Sequence, residues 1–559
     1  MSAIRHTGQK DYGEGFNMAD TMRGVYTNLT SIRRDVFREV AKIMYAIGDH
    51  PEWTDAQIDD AFDELPYKIL PGDVATYRES VFLERAIIGE RIRLAMGLPA
   101  QGAETRQRIS AGIAETEGAG LTYYKPPLIN VIKFACNACE DNVYRVSNAC
   151  QGCLAHPCRE ICPKGAISFK NKKAFIDHEK CIGCGRCAQV CPYHAIHHHI
   201  RPCAEACGMK AIGSDEHGRA EINYEKCVSC GQCLINCPFG AIADKSQIGQ
   251  IIHSILSGDE VIAAVAPAFV GQFGGKGNVG KLREAFKLLG FAGVEEVAIG
   301  ADLCTVEEAD DFVEEVVKGD LPFMGTSCCP AWSVMAKKEF PDQANCISMA
   351  LTPMVLTARM IRSQHPDAKI VFVGPCSAKK LEAMRKSVRS EVDFVLTFEE
   401  MAGMMDAREI DYLKLEDDNN SDFDVASADA RGFAVAGGVA NAVVNVIKRK
   451  DPSIDIKVFN AEGLNECRQM MKDAVKGKYP GYLLEGMACP GGCVAGAGTL
   501  QPIKKSQAAV KRYAQRSPRK IATENSYRVL IKALERDEDG KKVDAVAETT
   551  EASTGKAGE

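Results

Sequence analysis

Apolar and polar positions along this 559-residue chain fall into three regimes. In the first, "LTSIRRDVFREVAKIMYAIG" and "TYRESVFLERAIIGERIRLAMGL" carry apolar residues three and four apart, which predicts amphipathic helices. Between them, "PEWTDAQIDDAFDELP" offers Thr54 as a helix N-cap. Residues 1–125 therefore read as a helical N-terminal region whose job is packing or partner docking. From about residue 255 the pattern changes to strand-like runs alternating with helical ones. The runs are "VIAAVAPAF", "KIVFVGP", "RGFAVAG", "IKVFNAEG" and "GYLLEGMA". That alternation predicts an α/β domain over 255–535 with mostly parallel sheet. The tail at 541–559 has no aromatic residue and is expected to be disordered. The middle regime, 126–248, follows neither period, and cysteines dominate it.

Composition narrows the function. The formal charge of -7 argues against a generic nucleic-acid binder, which needs a basic face. No apolar run reaches the ~18 residues of a membrane span. The polar start "MSAIRHTGQKDYGEGF" lacks the apolar core of a signal peptide, so a cytoplasmic location is expected. In a reducing cytosol, 24 cysteines mean metal or catalysis before disulfides.

Sixteen of the cysteines lie between 126 and 245. "CIGCGRCAQVCP" (Cys181, Cys184, Cys187, Cys191) and "CVSCGQCLINCP" (Cys227, Cys230, Cys233, Cys237) both read C-x2-C-x2-C-x3-C-P. In this bacterial ferredoxin run three thiolates hold one cubane and the fourth, before proline, holds its neighbour. Upstream, "CQGCLAHPCREICPKGAI" supplies Cys150, Cys153, Cys158 and Cys162. Two sets follow: Cys150, Cys153, Cys158 and Cys191; and Cys162, Cys181, Cys184 and Cys187. Before the second run, "RPCAEACGMKAI" supplies Cys203 and Cys207 but no opening CxxC. A displaced CxxC stands in "FACNACED" at Cys136 and Cys139. Cys136, Cys139, Cys203 and Cys237 would make a third set, and Cys207, Cys227, Cys230 and Cys233 a fourth. Alternatively, Cys136 and Cys139 are structural or bind their own ion, and His194 or the histidines at 197–199 fill the gap. The region reads as two ferredoxin-like modules carrying about four 4Fe–4S clusters.

Eight cysteines remain. Cys304, Cys346 and Cys467 are isolated and read as small buried residues. The other five sit in "TSCCPAW" (Cys328, Cys329), "GPCSAKK" (Cys376) and "EGMACPGGC" (Cys489, Cys493). At least two of these stretches follow strand-like runs, where open α/β sheets place their sites. One cysteine from each of the first two and two from the third would hold one more cubane. "GGKGNVGKL" nearly spells a phosphate loop, but Leu282 stands where Ser or Thr would meet Mg2+, so it reads as a helix entry.

The stretches "TSCCPAW", "PCSAKK" and "EGMACPGGCVAGAG" together resemble the three signature loops of the iron–iron (FeFe) hydrogenases. "ALTPM" (350–354) and the helical N-terminus resemble the branch called group B. The resemblance implies a multidomain α+β protein that reversibly reduces protons to H2. It implies an H-cluster: a cubane joined to a di-iron unit with CO, cyanide and azadithiolate. By motif position Cys329, Cys376, Cys489 and Cys493 would ligate the cubane, with Cys493 bridging to the di-iron unit. Lys379 would bind a cyanide, and Met487, Ala266 and Pro267 would pack around the cofactor. Cys328 would exchange the proton, relayed by Glu308, Asp311 and Ser348. The implied partners are H2, protons, ferredoxin and maturation proteins.

This chain departs from the family pattern at four places. Glu315 stands where an arginine closes the relay, and Asp311 replaces a glutamate. Ala268 replaces a serine, and Gly374 a methionine. Rival readings are an iron–sulfur assembly or scaffold protein without the di-iron unit, a slow H2 sensor, and a polyferredoxin relay.

Overall fold

The computed structural model describes residues 26–101, 107–112, 127–274, 279–385, 390–416 and 425–534, with positions 24 and 388. The expected disordered tail and the polar start lie outside the described residues.

Three helices open the chain: α1 (Asn28–Asp49), α2 (Asp55–Ile69) and α3 (Val81–Ala95). Thr54 caps α2 in a capping box with Gln57, as its spacing predicts. The apolar face of α1 (Val36, Phe37, Val40, Ala41, Met44) enters the core of the α/β domain. It lies so close to the helix Phe398–Ala407 that a Cβ on Gly403 would sit 2.5 Å from that of Phe37. Arg33 and Arg34 of α1 pair with Glu399 and Asp406 of that helix.

Eight short strands build the cysteine-rich region. They are β1 (Ile129–Val131), β2 (Val143–Val146), β3 (Ile167–Lys170), β4 (Lys173–Ile176), β5 (Ile196–His199), β6 (Ile212–Ser214), β7 (Ala220–Ile222) and β8 (Ile242–Asp244). All pair antiparallel. β2 pairs with β5, and β1 pairs with β8. One module, with its hairpin β3–β4, is therefore inserted whole between the first strand of the other module and its hairpin β6–β7. This nesting is the physical reason that "FACNACED" is separated from "RPCAEACG": a complete domain interrupts the second ferredoxin module.

The α/β domain holds β9 (Val261–Val265), β10 (Gly293–Glu296), β11 (Phe323–Gly325), β12 (Lys369–Gly374), β13 (Phe394–Thr397), β14 (Lys457–Glu462) and β15 (Tyr482–Met487). They form two all-parallel sheets, in orders β10-β9-β12-β13 and β11-β15-β14. β9 is buried throughout, as a parallel strand covered on both faces should be. The run "RGFAVAG", expected as a strand, is not one. It spans the end of the helix Ala428–Gly432 and a turn into the helix Gly438–Lys450, with Gly437 at φ 83°. Short apolar runs do not by themselves separate strand from buried turn; here Phe433 and Ala434 face a cavity. Val279–Leu289 is a helix with Leu282 fully buried; residues 275–278 of "GGKGNVGKL" lie outside the described residues. Among the described residues no helix is long and apolar enough to cross a membrane.

Candidate functional site

The carboxyl ends of the parallel strands converge on one cavity of about 90 Å³. β11 leads to Cys328 and Cys329, β12 to Cys376, and β15 to Cys489 and Cys493. All five thiols line the cavity, with Lys379, Met487, Ala266, Pro267 and Ala268. Glycines allow the loops to meet. A Cβ on Gly496 would lie 2.2 Å from the Pro375 carbonyl, and one on Gly492 2.5 Å from the Ala436 amide. Cys304, Cys346 and Cys467 are buried away from it.

The cavity wall is apolar apart from its sulfurs and one cation. Lys379 Nζ pairs with Glu382 at 2.6 Å and donates to the Cys328 carbonyl at 3.4 Å and to Thr352 Oγ1 at 3.3 Å. Burial works against its charge, but the Glu382 carboxylate outweighs it and raises the Lys379 pKa. Burial, reinforced by Glu308, pushes the Cys328 thiol well above its usual range. Gly374 is a departure with a structural consequence. A Cβ there would lie 2.5 Å from the ring of Phe372, which itself lines the cavity.

Behind Cys328 the helix Ala298–Asp311 carries Glu308, which is fully buried. Glu308 Oε1 accepts from the Ser327 N–H at 2.8 Å and lies 2.9 Å from Ser327 Oγ. That hydroxyl also lies 2.9 Å from the Ala350 carbonyl. It has one proton to give. When it donates to Ala350, it can accept from a protonated Glu308; when Glu308 is ionised, it can donate to Glu308. Among the described residues, Glu308 Oε2 has no hydrogen-bond partner. Burial raises the Glu308 carboxyl to about 7, against the pull of Ser327 and of nearby Ser348. Asp311, half-buried, is raised to about 6 by burial and by Glu315, Asp310 and Glu314. Glu315 is exposed on the π-helical turn Phe312–Val317. Ser327 was not singled out from the sequence, although it adjoins Cys328; its role depends on a helix nineteen residues away.

The cysteine-rich region forms three further cavities. One is ringed by Cys150, Cys153, Cys158 and Cys191. A second has Cys162, Cys181, Cys184 and Cys187, and a third Cys136, Cys139, Cys203 and Cys237. No histidine lines the third; His198 instead stacks on Tyr144. Burial raises the thiols of Cys230 and Cys233, and each also feels Cys207 and Cys227, which brings the fourth set together. A repeat emerges in the hydrogen bonds. The amides of Ala166, Ala195, Ala211 and Ala241 donate to the sulfurs of Cys162, Cys191, Cys207 and Cys237, each four residues back, at 3.3–3.4 Å. Ala174 on β4 donates to Cys150, and Ala220 on β7 donates to Cys136. Cys136 thus stands in its module where Cys150 stands in the other. The fourth set reaches the main cavity: Cys230 lines it, and Gln232 Nε2 lies 3.1 Å from Cys489 Sγ.

Residues 259–497 match the family model described as the C-terminal domain of the iron-only hydrogenase large subunit. Residues 149–201 match an LdpA Fe-S cluster-binding domain, and 220–243 a 4Fe-4S binding domain. The chain is 31% identical to the periplasmic [Fe] hydrogenase large subunit of Nitratidesulfovibrio vulgaris, over 59% of this chain and 86% of that protein. It is 30% identical to iron hydrogenase 1 of Clostridium pasteurianum, over 59% of this chain and 66% of that protein, just under two thirds. A probable cytosolic Fe-S cluster assembly factor of Aedes aegypti is 26% identical over 39% of this chain and 55% of its own length. With four thiols and a lysine gathered from three strand ends, and with these relatives, the chain belongs to the iron–iron hydrogenase family.

Proposed function

We propose that this protein is a hydrogenase that interconverts protons, electrons and H2 at an H-cluster, in the group B branch. The observation that carries the reading is the convergence of Cys329, Cys376, Cys489, Cys493 and Lys379 on one apolar cavity. The donor set fits the cofactor. Four thiols suit a cubane, and a buried cation suits anionic cyanide. The apolar wall of Met487, Ala266 and Pro267 suits a group that must be kept from water. When bound, the H-cluster supplies the redox chemistry of H2 formation and cleavage.

The chain's own residues do the rest. Cys328 holds a proton at Sγ on the cavity wall. Glu308 receives it at its carboxyl, with Ser327 able to hydrogen-bond either protonation state and nearby Ser348 favouring the ionised one. Asp311 passes it outward, and with carboxyls near 6 and 7 both groups can give and take protons at neutral pH. Lys379 fixes the charge of the site. The four cysteine sets of the ferredoxin modules hold 4Fe–4S clusters that relay electrons, with ferredoxin as carrier. The set Cys207, Cys227, Cys230 and Cys233 is the last step before the catalytic cubane, because Cys230 borders the cavity. Assembly of the di-iron unit requires maturation proteins.

The competing reading is an iron–sulfur assembly protein, as the name of one distant relative says of that relative. It leaves Cys328 and the buried Glu308 without a task. An infrared spectrum of the anaerobically matured protein separates the two. Sharp CO and cyanide bands that respond to H2 are expected. Cubane iron without those bands would favour the assembly reading.

A further inference from the structure

The helical N-terminal region lies outside every matched family segment, and so do Cys136 and Cys139. The two are in contact. Ile87 and Leu94 of α3 pack in one cluster with Ala135, Cys203, Cys233, Cys237 and Ile242. Two arginines of the region reach the loops that carry the third cysteine set. Arg78 Nη2 donates to the carbonyl of Ala135 at 2.8 Å and to that of Phe239 at 3.1 Å. Its guanidinium also lies over the Phe239 ring, 5.5 Å from the centroid. Arg91, buried on α3, donates to the carbonyl of Gly240. Ala135 adjoins Cys136, while Phe239 and Gly240 follow Cys237 by two and three residues.

The arginines are themselves held in place. Buried Glu84 accepts from the amides of Thr76 at 2.7 Å, Tyr77, and Arg78 at 2.8 Å, which shapes the turn that presents Arg78. Gly240, at φ +60°, leaves room for Arg91: a Cβ there would lie 2.6 Å from Arg91 Nη2. In an uninterrupted module the opening CxxC is tied to the rest by a short loop. Here the inserted module of β2–β5 separates Cys139 from Cys203; the β1–β8 pairing and Arg201, which donates to the Cys139 carbonyl at 2.9 and 3.1 Å, hold the set from within the module, and Arg78 and Arg91 add a hold from outside it.

We infer that the helical N-terminal region is a working part of the electron relay: Arg78 and Arg91 clamp the Cys136, Cys139, Cys203 and Cys237 site closed and set the potential of the cluster there. The inference rests on the reading that these four cysteines hold a cubane. A reduced 4Fe–4S cluster is one charge more negative than the oxidised one, so a nearby fixed cation favours reduction and raises the potential. Of the four sets, only this one has two guanidinium groups from α3 and the turn before it bonded to its loops among the described residues.

The test is an EPR-monitored redox titration with iron analysis on the intact, iron-loaded protein. Arg91→Gln should lower the midpoint potential of a single cubane signal and leave the others in place. Arg91→Lys, which keeps the charge, should restore it. The double variant Arg78→Gln/Arg91→Gln should lose about four iron atoms per chain, one cubane. Unchanged potentials and iron content in these variants would overturn the clamp, as would iron loss spread over every cluster. Cys139→Ala is the control for the underlying reading. If it keeps all its iron, the four-cysteine assignment fails, whatever the arginine variants show.

Discussion

At the scale of single residues, burial sets the chemistry. Cys328, Glu308 and Asp311 run from the cavity towards the surface, and each titrates higher than it would in water because its charge is poorly solvated. Cys328→Ala should keep the cluster spectrum and cut H2 turnover roughly a hundredfold or more, the usual worth of a positioned acid–base group. Turnover within a few-fold of wild type would remove Cys328 from the proton path. Ser327→Ala should leave the cofactor bands in place and shift the pH profile of turnover, because it removes the hydroxyl shared between Glu308 and Ala350. A second buried acid tests stability. Burial lifts Asp302 to about 7, although it accepts from Ser427 and Asn525. Its unfolded pKa is near 3.9. Between about pH 4 and 7 the native state therefore binds the extra proton, and stability falls as pH rises through that window. Asn can keep these contacts, its carbonyl replacing Oδ2 and its amide donating to Ser427 Oγ. Denaturation of Asp302→Asn should show a flatter pH dependence between about pH 4 and 7; an identical slope would mean that Asp302 does not titrate on unfolding.

At the scale of elements, what the sequence could show depended on how local the cause was. Thr54 capping α2 is a three-residue event and was legible. So were the cysteine runs, because one loop wraps one cubane. The strand ends at Cys376 and Cys489 were legible from apolar runs, whereas β11, only three residues long, was not. "RGFAVAG" misled because its buried small residues mimic strand periodicity while serving a cavity wall. The nested module was invisible for a further reason: which strands pair is decided across about a hundred residues, and only the register of β1 with β8 reveals it. Glu485 is a related case. It looks like one more acid in "LLEGMAC", yet it is buried and accepts the amides of Gly437 at 2.7 Å and Ala440 at 2.8 Å. It thereby fixes the start of the helix Gly438–Lys450 to β15, just before the Cys489 loop. Glu485→Ala leaves two buried amides unpaired, at about 1–3 kcal/mol each. The expected result is a lower melting temperature together with weaker iron retention at the catalytic cubane. Unchanged stability would mean that water replaces the carboxylate.

At the scale of the whole molecule, relay and catalytic domain are joined by groups buried on both sides of their contact. Lys380, the residue after Lys379, is fully buried and pairs with Asp244 on β8 at 2.9 Å and with Glu400 at 2.8 Å. Glu399, beside it, pairs with Arg33 of α1. Three regions that read as separate in sequence thus meet within a few residues of the lysine that faces the cavity. Electron entry and H2 chemistry nevertheless remain separable in principle. Exchange between H2 and solvent protons needs no external electron, whereas H2 oxidation coupled to a carrier needs every link of the relay. In the proposed relay the last link is the Cys207, Cys227, Cys230 and Cys233 set, which borders the cavity through Cys230 and through Gln232 at Cys489. Cys227→Ala attacks that link from the side away from the cavity, since Cys227 does not line it. Carrier-linked H2 oxidation should collapse by tenfold or more, taking roughly 1.4 kcal/mol per decade as the scale, while H2/D2O exchange stays within a few-fold of wild type. Equal loss of both activities would mean that the fourth cluster supports the catalytic loops mechanically, and that electrons reach the site by another route.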